Sequence, residues 1–378
     1  MKATKIVENI IIIVTATVLL MGGIYFVNDS QVLFNNQNYL NAIVTEAPDH
    51  LNDSSNNYIV ATVTSYRLRG ETVSIPYDPI SYFLLFVERP INVGDNIRIV
   101  ATENGGFRFV DYNRLNVVLV PAIILFALII FFGKLKGLNT LISFIFTYTS
   151  IFAILVPGVL MGKNVYVIAF LVFMYIIIFS LLLILGFNKK TLGASVGCFV
   201  GLIFSSIMML IVGMFIPFVT FMPFENFSEN SLRVIESSRT WLFVPDVQGI
   251  IFTSVLLGAL GAVKDVSTSI SSSLWELNQS GVQDSKSLFK SGLNIGLDTL
   301  STQVNNLVLA YVGSALPLFL LINYIAQPTL AAFNRVEVVM EITRALVGVF
   351  SLIIVIPATS VCCSYLFCKK TPQLEGGR

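Results

Sequence analysis

A single histidine, His50, stands in the whole chain, amid Asp49, Asn52, Asp53 and Ser54. That setting reads as a loop and leaves no histidine for metal binding or general acid–base work. Cysteine is as sparse: Cys198 lies in an apolar run, and Cys362, Cys363 and Cys368 cluster at the end of the last one. None falls in the polar segment after the first apolar run, so no disulfide framework is implied there. With no histidine beside them, the terminal three read as inert membrane-helix cysteines before they read as metal ligands. Charge is scarce too. Only 12% of residues are charged, and the net charge is +1, so basic patches for nucleic acid are missing. No Gly-x-x-x-x-Gly-Lys cradles a phosphate, and neither His-Glu-x-x-His nor Gly-x-Ser-x-Gly occurs. The sequence therefore predicts no enzyme and no cofactor.

What is abundant is apolar sequence. Hydrophobic residues make up 55% of the chain, and several runs exceed the ~18 residues that cross a bilayer. The reading is a polytopic α-helical membrane protein with a small β-rich extracytoplasmic domain after the first helix. Spans are expected at about Asn9–Val27, Leu115–Phe132, Leu138–Leu160, Val165–Phe187, Leu192–Val219, Val247–Ser267, Ile295–Ile322 and Ala345–Phe367, eight in all. The first is preceded by Lys2 and Lys5 and lacks a small-x-small cleavage site, which favours an uncleaved signal anchor over a signal peptide. The domains are then an anchor (1–27), an extracytoplasmic β-rich domain (28–114), a seven-helix membrane domain (115–367) and a tail (368–378).

Between Asn28 and Arg114 apolar and polar residues alternate. Tyr58–Tyr66, Thr72–Ile75, Tyr82–Val87, Asn96–Val100 and Phe107–Val110 read as strands, separated by turn signals such as Arg69-Gly70 and Gly94-Asp95. Five short strands suggest a small barrel or sandwich that is structural or binds a partner. Lysine pairs recur at alternate span ends: Lys134 with Lys136, Lys189 with Lys190, Lys286 with Lys290, and Lys369 with Lys370. The positive-inside rule then puts both termini in the cytoplasm and the β domain outside, with Lys163 the one exception. The location expected is a bacterial cell membrane, multi-pass. Pro223 to Pro245 reads as an outer segment, amphipathic or solvated. Asn278 to Lys290 reads as a short amphipathic helix on the inner leaflet, able to dock a membrane protein partner. Glu341 and Arg344 are spaced to pair where the last helix enters the membrane, as an interfacial cap or as a gate.

One run stands out: Gly258-Ala-Leu-Gly-Ala-Val-Lys-Asp265-Val-Ser-Thr-Ser-Ile-Ser-Ser-Ser-Leu-Trp-Glu276. At about 100° per residue, Ser254, Gly258, Gly261, Asp265, Ser269, Ser272 and Glu276 share one helical stripe. Polar groups are costly in hydrocarbon, so the stripe should face protein or water. A second stripe follows on the next span: Ser291, Asn294, Asp298, Thr302 and Asn305. Counting residues from the span ends sets Asp265 and Asp298 at a similar depth, near the cytoplasmic boundary, beside Lys264. Two readings stay open: an ion or solute pathway, and helix packing with interface anchoring. In the first, Asp265 and Asp298 bind a cation, a proton or a cationic group, and Ser269, Thr302 and Asn305 line the route. An intramembrane aspartyl protease is excluded by the residues around both aspartates.

Taken in order, Gly258 to Glu276, Ser291-Gly-Leu-Asn-Ile-Gly-Leu-Asp298 and Leu309-Ala-Tyr-Val-Gly-Ser-Ala-Leu-Pro-Leu318 resemble the YibE/F-like family of bacterial membrane proteins, over about Leu115 to Phe367. The resemblance implies a multi-span protein of Gram-positive-type bacteria, with an extracytoplasmic domain in some members. Leu297 stands where an arginine often precedes the aspartate, and Ser301 where glycine is frequent. An Asp–Arg pair within that helix is thus absent, and Lys264 becomes the nearest candidate counter-charge. The function expected is a transporter or export component with a polar cytoplasmic-side vestibule. The alternative is a non-transporting envelope scaffold that acts through its outer β domain.

Overall fold

The computed structural model describes residues 2–27, 39–47, 58–65, 68–76, 91–102, 106–215, 246–324, 333 and 336–368. They fall into two compact units, Phe34–Lys134 on one hand and Met1–Leu33 with Leu135–Arg378 on the other.

The first unit is built on an antiparallel sheet of β1 (Tyr39–Glu46), β2 (Tyr58–Val63), β3 (Thr72–Pro76), β4 (Asn96–Ala101) and β5 (Phe107–Tyr112). Its spatial order is β3-β2-β1-β4-β5. Register pairs Ala42 with both Val63 and Ile97, Ile59 with Ile75, and Ile99 with Phe109. Alternation sends Leu40, Ala42, Val44, Ile59, Ala61, Val63, Ile75, Ile97, Ile99 and Phe109 to one buried face. Bulges at Val44/Glu46 and Arg98/Ile99 add twist, and the edge strands β3 and β5 approach each other in a half-barrel. Gly70 and Gly94, both at φ 93, take turn conformations that favour glycine. The central strand β1 is absent from the expected strands; the expected Tyr82–Val87, like the His50 loop, lies outside the described residues.

The helices are α1 (Lys2–Val27), α2 (Leu115–Ser150), α3 (Val156–Leu160, after a π-helical turn at Ile151–Leu155), α4 (Val165–Leu185), α5 (Lys189–Phe215), α6 (Val247–Gln279), α7 (Ser285–Tyr324) and α8 (Val336–Phe367). The side chains at their ends explain several boundaries. Asn164 accepts from Val167 N at 3.2 Å to start α4, and Asp246 accepts from Gly249 N at 2.9 Å to start α6. Gly186 (φ 78) and Gly281 (φ 107) end α4 and α6 in the left-handed region. In the second unit α5, α6 and α8 pack on one another along their length. The α7 helix lies against α6 and α8, and α4 lies against α5 and α6. Ile12 and Ala16 of α1 bury against Phe179 and Leu183 of α4, where Tyr175 donates to Ala16 O at 3.1 Å.

Among the described residues six helices are long and apolar enough to cross a membrane: Val7–Val27, Val117–Leu160, Val165–Leu185, Lys189–Val212, Gly249–Gln279 and Val338–Phe367. The expected eight are not matched one for one. The spans expected at Leu115–Phe132 and Leu138–Leu160 fall in one apolar run, broken at Lys134 (φ 50, ψ −128). The span expected at Ile295–Ile322 belongs to α7, which at 40 residues is long enough and ends on an apolar, uncharged stretch whose side chains lie partly outside the described residues.

The inner amphipathic helix expected over Asn278 to Lys290 does not exist. The α6 helix runs on to Gln279, a turn follows, and Lys286 and Lys290 sit in the first turns of α7. Asp284 sets that start: its carboxylate accepts from Ser287 N at 2.9 Å and from Ser287 Oγ at 2.8 Å. These hydrogen bonds, the hydroxyl one first, hold the Asp284 carboxyl below the usual carboxylate range. A carboxyl depressed in the folded state stabilises above its unfolded value and loses that contribution as pH falls through the folded one. Acidification into that range should speed amide exchange at Ser287 and Leu288 beyond the intrinsic change, and Asp284→Ala should do so at neutral pH. Equal protection in both cases would show that the cap does not hold this turn.

Candidate functional site

The stripe of α6 divides by side. Val255, Ala259, Val263, Val266, Ser267, Ile270, Ser271 and Leu274 are buried, whereas Gly261, Asp265 and Glu276 are exposed, with Ser254, Gly258, Ser269 and Ser272 half-buried. The buried hydroxyls serve packing. Thr359 of α8 donates to Ser267 Oγ at 3.3 Å, and Ser271 Oγ donates to Lys190 O at 2.6 Å.

Lys264, about 100° before Asp265 on the helix, points away from it and donates to Ser180 Oγ of α4 at 3.0 Å. Ser180 in turn accepts from Ser143 of α2 at 2.8 Å, and both serines are buried. Two turns from Asp265 on the same stripe, Tyr311 of α7 lies over Gly258, where an added Cβ would collide with its hydroxyl. Asp265 itself is exposed, and among the described residues neither it nor Asp298 has a hydrogen bond or ion pair. The α6 stripe is thus an exposed face at Asp265, covered by a phenol at Gly258.

The second stripe is placed differently. A Cβ at Gly292 would lie 3.0 Å from Leu274 Cδ1, and one at Gly296 3.1 Å from Ile270 Cδ1. This antiparallel register sets Asp298 opposite Thr268, three residues from Asp265, or about 4–5 Å along the axis. Gly292 also abuts Ser360 and Gly296 abuts Ile356, so this side of α7 faces α6 and α8. Asp298 is about 200° round from Gly296. It is exposed, as are Asn294, Thr302 and Asn305. The aspartates therefore share a level without facing each other. Thr302 donates to Thr299 O at 2.9 Å, along its own helix. Near the cytoplasmic boundary, where residue counting sets Asp298, an exposed carboxylate costs less than at the helix centre.

Several polar residues outside the expected set belong to the same unit. Asn139 bridges α1 and α4: it accepts from Asn9 Nδ2 at 3.4 Å and donates to Leu183 O at 3.1 Å. At the other end of the α6 stripe Arg344 pairs with Glu341 at 2.5 Å and donates to Ser254 Oγ at 3.2 Å. The spacing in the sequence anticipated the ion pair; its link to Ser254 had no sequence signal. Gly193, Gly197 and Gly201, spaced by four, were readable as a close-packing motif, and they seat α5 against α6 and α8.

Two cavities lie along α4 and α5. One of about 420 Å³ is lined by Tyr166, Phe173, Phe199 and Phe252, and one of about 550 Å³ by Leu182, Phe187 and Leu192; neither is lined by Asp265 or Asp298. Among the described residues no group of three His, Cys, Asp or Glu could hold a metal ion.

Residues 121–369 match the family described as YibE/F-like protein. The chain belongs to the YibE/F-like family. The match takes in Ser143, Ser180, Lys264, Asp265, Asp298, Tyr311 and Arg344. It begins after the β-sheet, so the YibE/F-like segment is the helical part alone. No curated protein and no solved structure matches the chain. With the six apolar helices, the family assignment makes this a membrane protein.

Proposed function

We propose that this YibE/F-like protein is a transport or export component of a bacterial cell membrane, moving a cation, a proton or a cationic group along the exposed polar face of α6 without covalent chemistry. The observation that carries this reading is Asp265: an exposed carboxylate with no partner among the described residues, on a helix that crosses the membrane. Lys264, held by Ser180, adds a positive charge on the adjoining arc of α6, and Ser269 offers a hydroxyl on the same face as Asp265. Asp298, Thr302 and Asn305 form a second polar surface at nearly the same level.

In this reading the chain crosses eight times. The break at Lys134 and the length of α7 support the two additional crossings. The alternating lysine pairs support cytoplasmic termini and an outer β-sheet.

Reconstituted vesicles test the proposal with entrapped pH-sensitive dye and with labelled rubidium as probes. The wild-type chain should pass one of them, and Asp265→Asn should lower that flux by an order of magnitude with the fold intact. Undiminished flux through Asp265→Asn removes the site. Absence of flux in the wild type, with a cellular phenotype that depends only on residues 28–114, would favour the scaffold reading, which the separate compactness of the sheet unit supports.

A further inference from the structure

Lys189 is the first residue of α5 and also begins its apolar span. A lysine at a span end lies at headgroup level. Its ammonium donates to Leu366 O at 3.1 Å and keeps two N–H groups. Among the described residues neither Lys189 nor the adjacent Lys190 has a carboxylate partner. Inward from Lys189 runs the cavity of about 550 Å³ between α4 and α5, with Leu182, Phe187, Leu192, Ser195 and Phe199 among its walls. Phe199 lies ten residues on from Lys189, about 15 Å along the axis and half of the ~30 Å hydrocarbon core. The cavity is as deep as one leaflet. Its surroundings are apolar and open: Ile184, Leu192 and Val196 are 39%, 54% and 36% exposed, so its mouth faces hydrocarbon.

One polar group interrupts the apolar wall. Ser195 is 9% exposed and lines the cavity, yet among the described residues its hydroxyl has no hydrogen bond. The other hydroxyls of α5 are satisfied: Thr191 donates to Gly186 O, Ser205 to Gly201 O and Ser206 to Leu202 O. An unpaired buried hydroxyl costs about 1–3 kcal/mol, and Ser195 faces the one space from which a partner can come.

We infer that this cavity binds one anionic phospholipid from the leaflet on the lysine side. An acyl chain fills the space down to Phe199. Ser195, about 9 Å below Lys189 along the helix, donates to an ester carbonyl, and the Lys189 ammonium binds the phosphate. A zwitterionic lipid would fit the apolar space equally, but its own cation opposes Lys189 and Lys190. The unbalanced positive charge therefore selects a headgroup of net negative charge. The site is separate from the exposed face at Asp265, and the inference does not rest on the transport reading.

The full chain in detergent micelles, titrated with phosphatidylglycerol or phosphatidylcholine of the same acyl chains and read by native mass spectrometry, tests this. The wild type should retain one phosphatidylglycerol per chain and prefer it by about tenfold or more. Lys189→Glu, at an exposed position that leaves the fold intact, should abolish the preference. Ser195→Ala should weaken retention of either lipid by about 2–10-fold. Lys136→Glu, at an exposed span-end lysine that does not line the cavity, should change neither. A photo-reactive benzoylphenylalanine at Leu192 in native membranes should form an adduct of phospholipid mass. Equal binding of the two lipids by the wild type overturns the inference, as does a preference that survives Lys189→Glu or is lost equally in Lys136→Glu. So does a Leu192 adduct to residues 369–378 of the chain or to a different protein.

Discussion

Replacing Gly197 by valine should cost this protein at least about 3 kcal/mol of stability and in most detergents prevent its isolation as a folded chain. The reason is a line of contact. Gly193-Ala-Ser-Val-Gly197-Cys-Phe-Val-Gly201 presents three glycines on one face of α5, and α6 and α8 close onto that face. A Cβ at Gly197 would lie 3.0 Å from Thr359 Cβ and 3.1 Å from Ser267 Oγ, with the Thr359 hydroxyl nearer still. Thr359 and Ser267 are themselves hydrogen-bonded across α6 and α8 and fully buried, so neither can swing aside. At Gly201 a Cβ would meet Val263 Cγ1 at 2.8 Å. Interiors packed at crystal-like density do not absorb such insertions. Gly197→Ala is the milder probe, at about 1–3 kcal/mol. Gly261→Ala is the control, because nothing lies within 4 Å of the position a Cβ would take there. It should leave stability unchanged or raise it slightly, as alanine is the better helix former. Unfolding in graded denaturant, followed by circular dichroism, separates the cases. If Gly197→Val and Gly261→Ala unfold together, the three-helix seam is not what holds the bundle.

Much of this fold is legible in the residues because the bilayer sets strict rules. Apolar runs of sufficient length are helices; Val165–Leu185 is read from the sequence within two residues, whereas the last helix shares the expected end at Phe367 and starts at Val336, well before the expected Ala345. The errors elsewhere have causes. Near Lys134 the backbone is broken where hydropathy reads a gap, but the apolar stretches on either side form one run by length and composition, so two expected spans are counted as one. Between Asn278 and Lys290 an amphipathic pattern suggested a separate helix, yet Gly281 and Asp284 divide the segment into an end and a beginning. The strand β1 lies outside the expected strands although Leu40, Ala42 and Val44 alternate correctly, since Asn41, Thr45 and Glu46 and the polar run before it blur the pattern.

The site was legible in depth and not in direction. Residue counting from span ends sets Asp265 and Asp298 at one level, and the Gly292–Leu274 and Gly296–Ile270 contacts give the same spacing. What counting cannot supply is the angle at which two helices present their stripes to each other. Lys264 illustrates this: neighbouring Asp265 in sequence, it serves Ser180 on another helix. Its partners Ser143 and Ser180 are unremarkable hydroxyls in apolar runs and carry no signal of their own.

Arg344→Ala should destabilise the protein by about 2–4 kcal/mol, and the double replacement Arg344→Met with Glu341→Gln should recover most of that loss. Arg344 and Glu341 keep only 28% and 21% of their side-chain surface, within a helix long and apolar enough to cross a membrane. Their ion pair at 2.5 Å and the bond from Arg344 to Ser254 at 3.2 Å tie α8 to α6 at the far end of the polar stripe. Glu341 Oε2 and Arg344 Nε are buried without partners among the described residues, so Glu341 depends on Arg344 and Arg344 on Glu341 and Ser254. Removing the arginine leaves a carboxylate desolvated and alone, which costs more than the pair contributes. Neutralising both removes the desolvation penalty together with the attraction. A double-mutant cycle should therefore show coupling of about 1–3 kcal/mol. Additive losses from the two single changes would show that the charges act independently and that the stripe ends at Ser254 without a tie to α8. If coupling is found, flux through Arg344→Met/Glu341→Gln decides between the cap and the gate. Unchanged transport in a stable double variant assigns the pair to anchoring, and loss of transport at unchanged stability assigns it to the path that begins at Asp265.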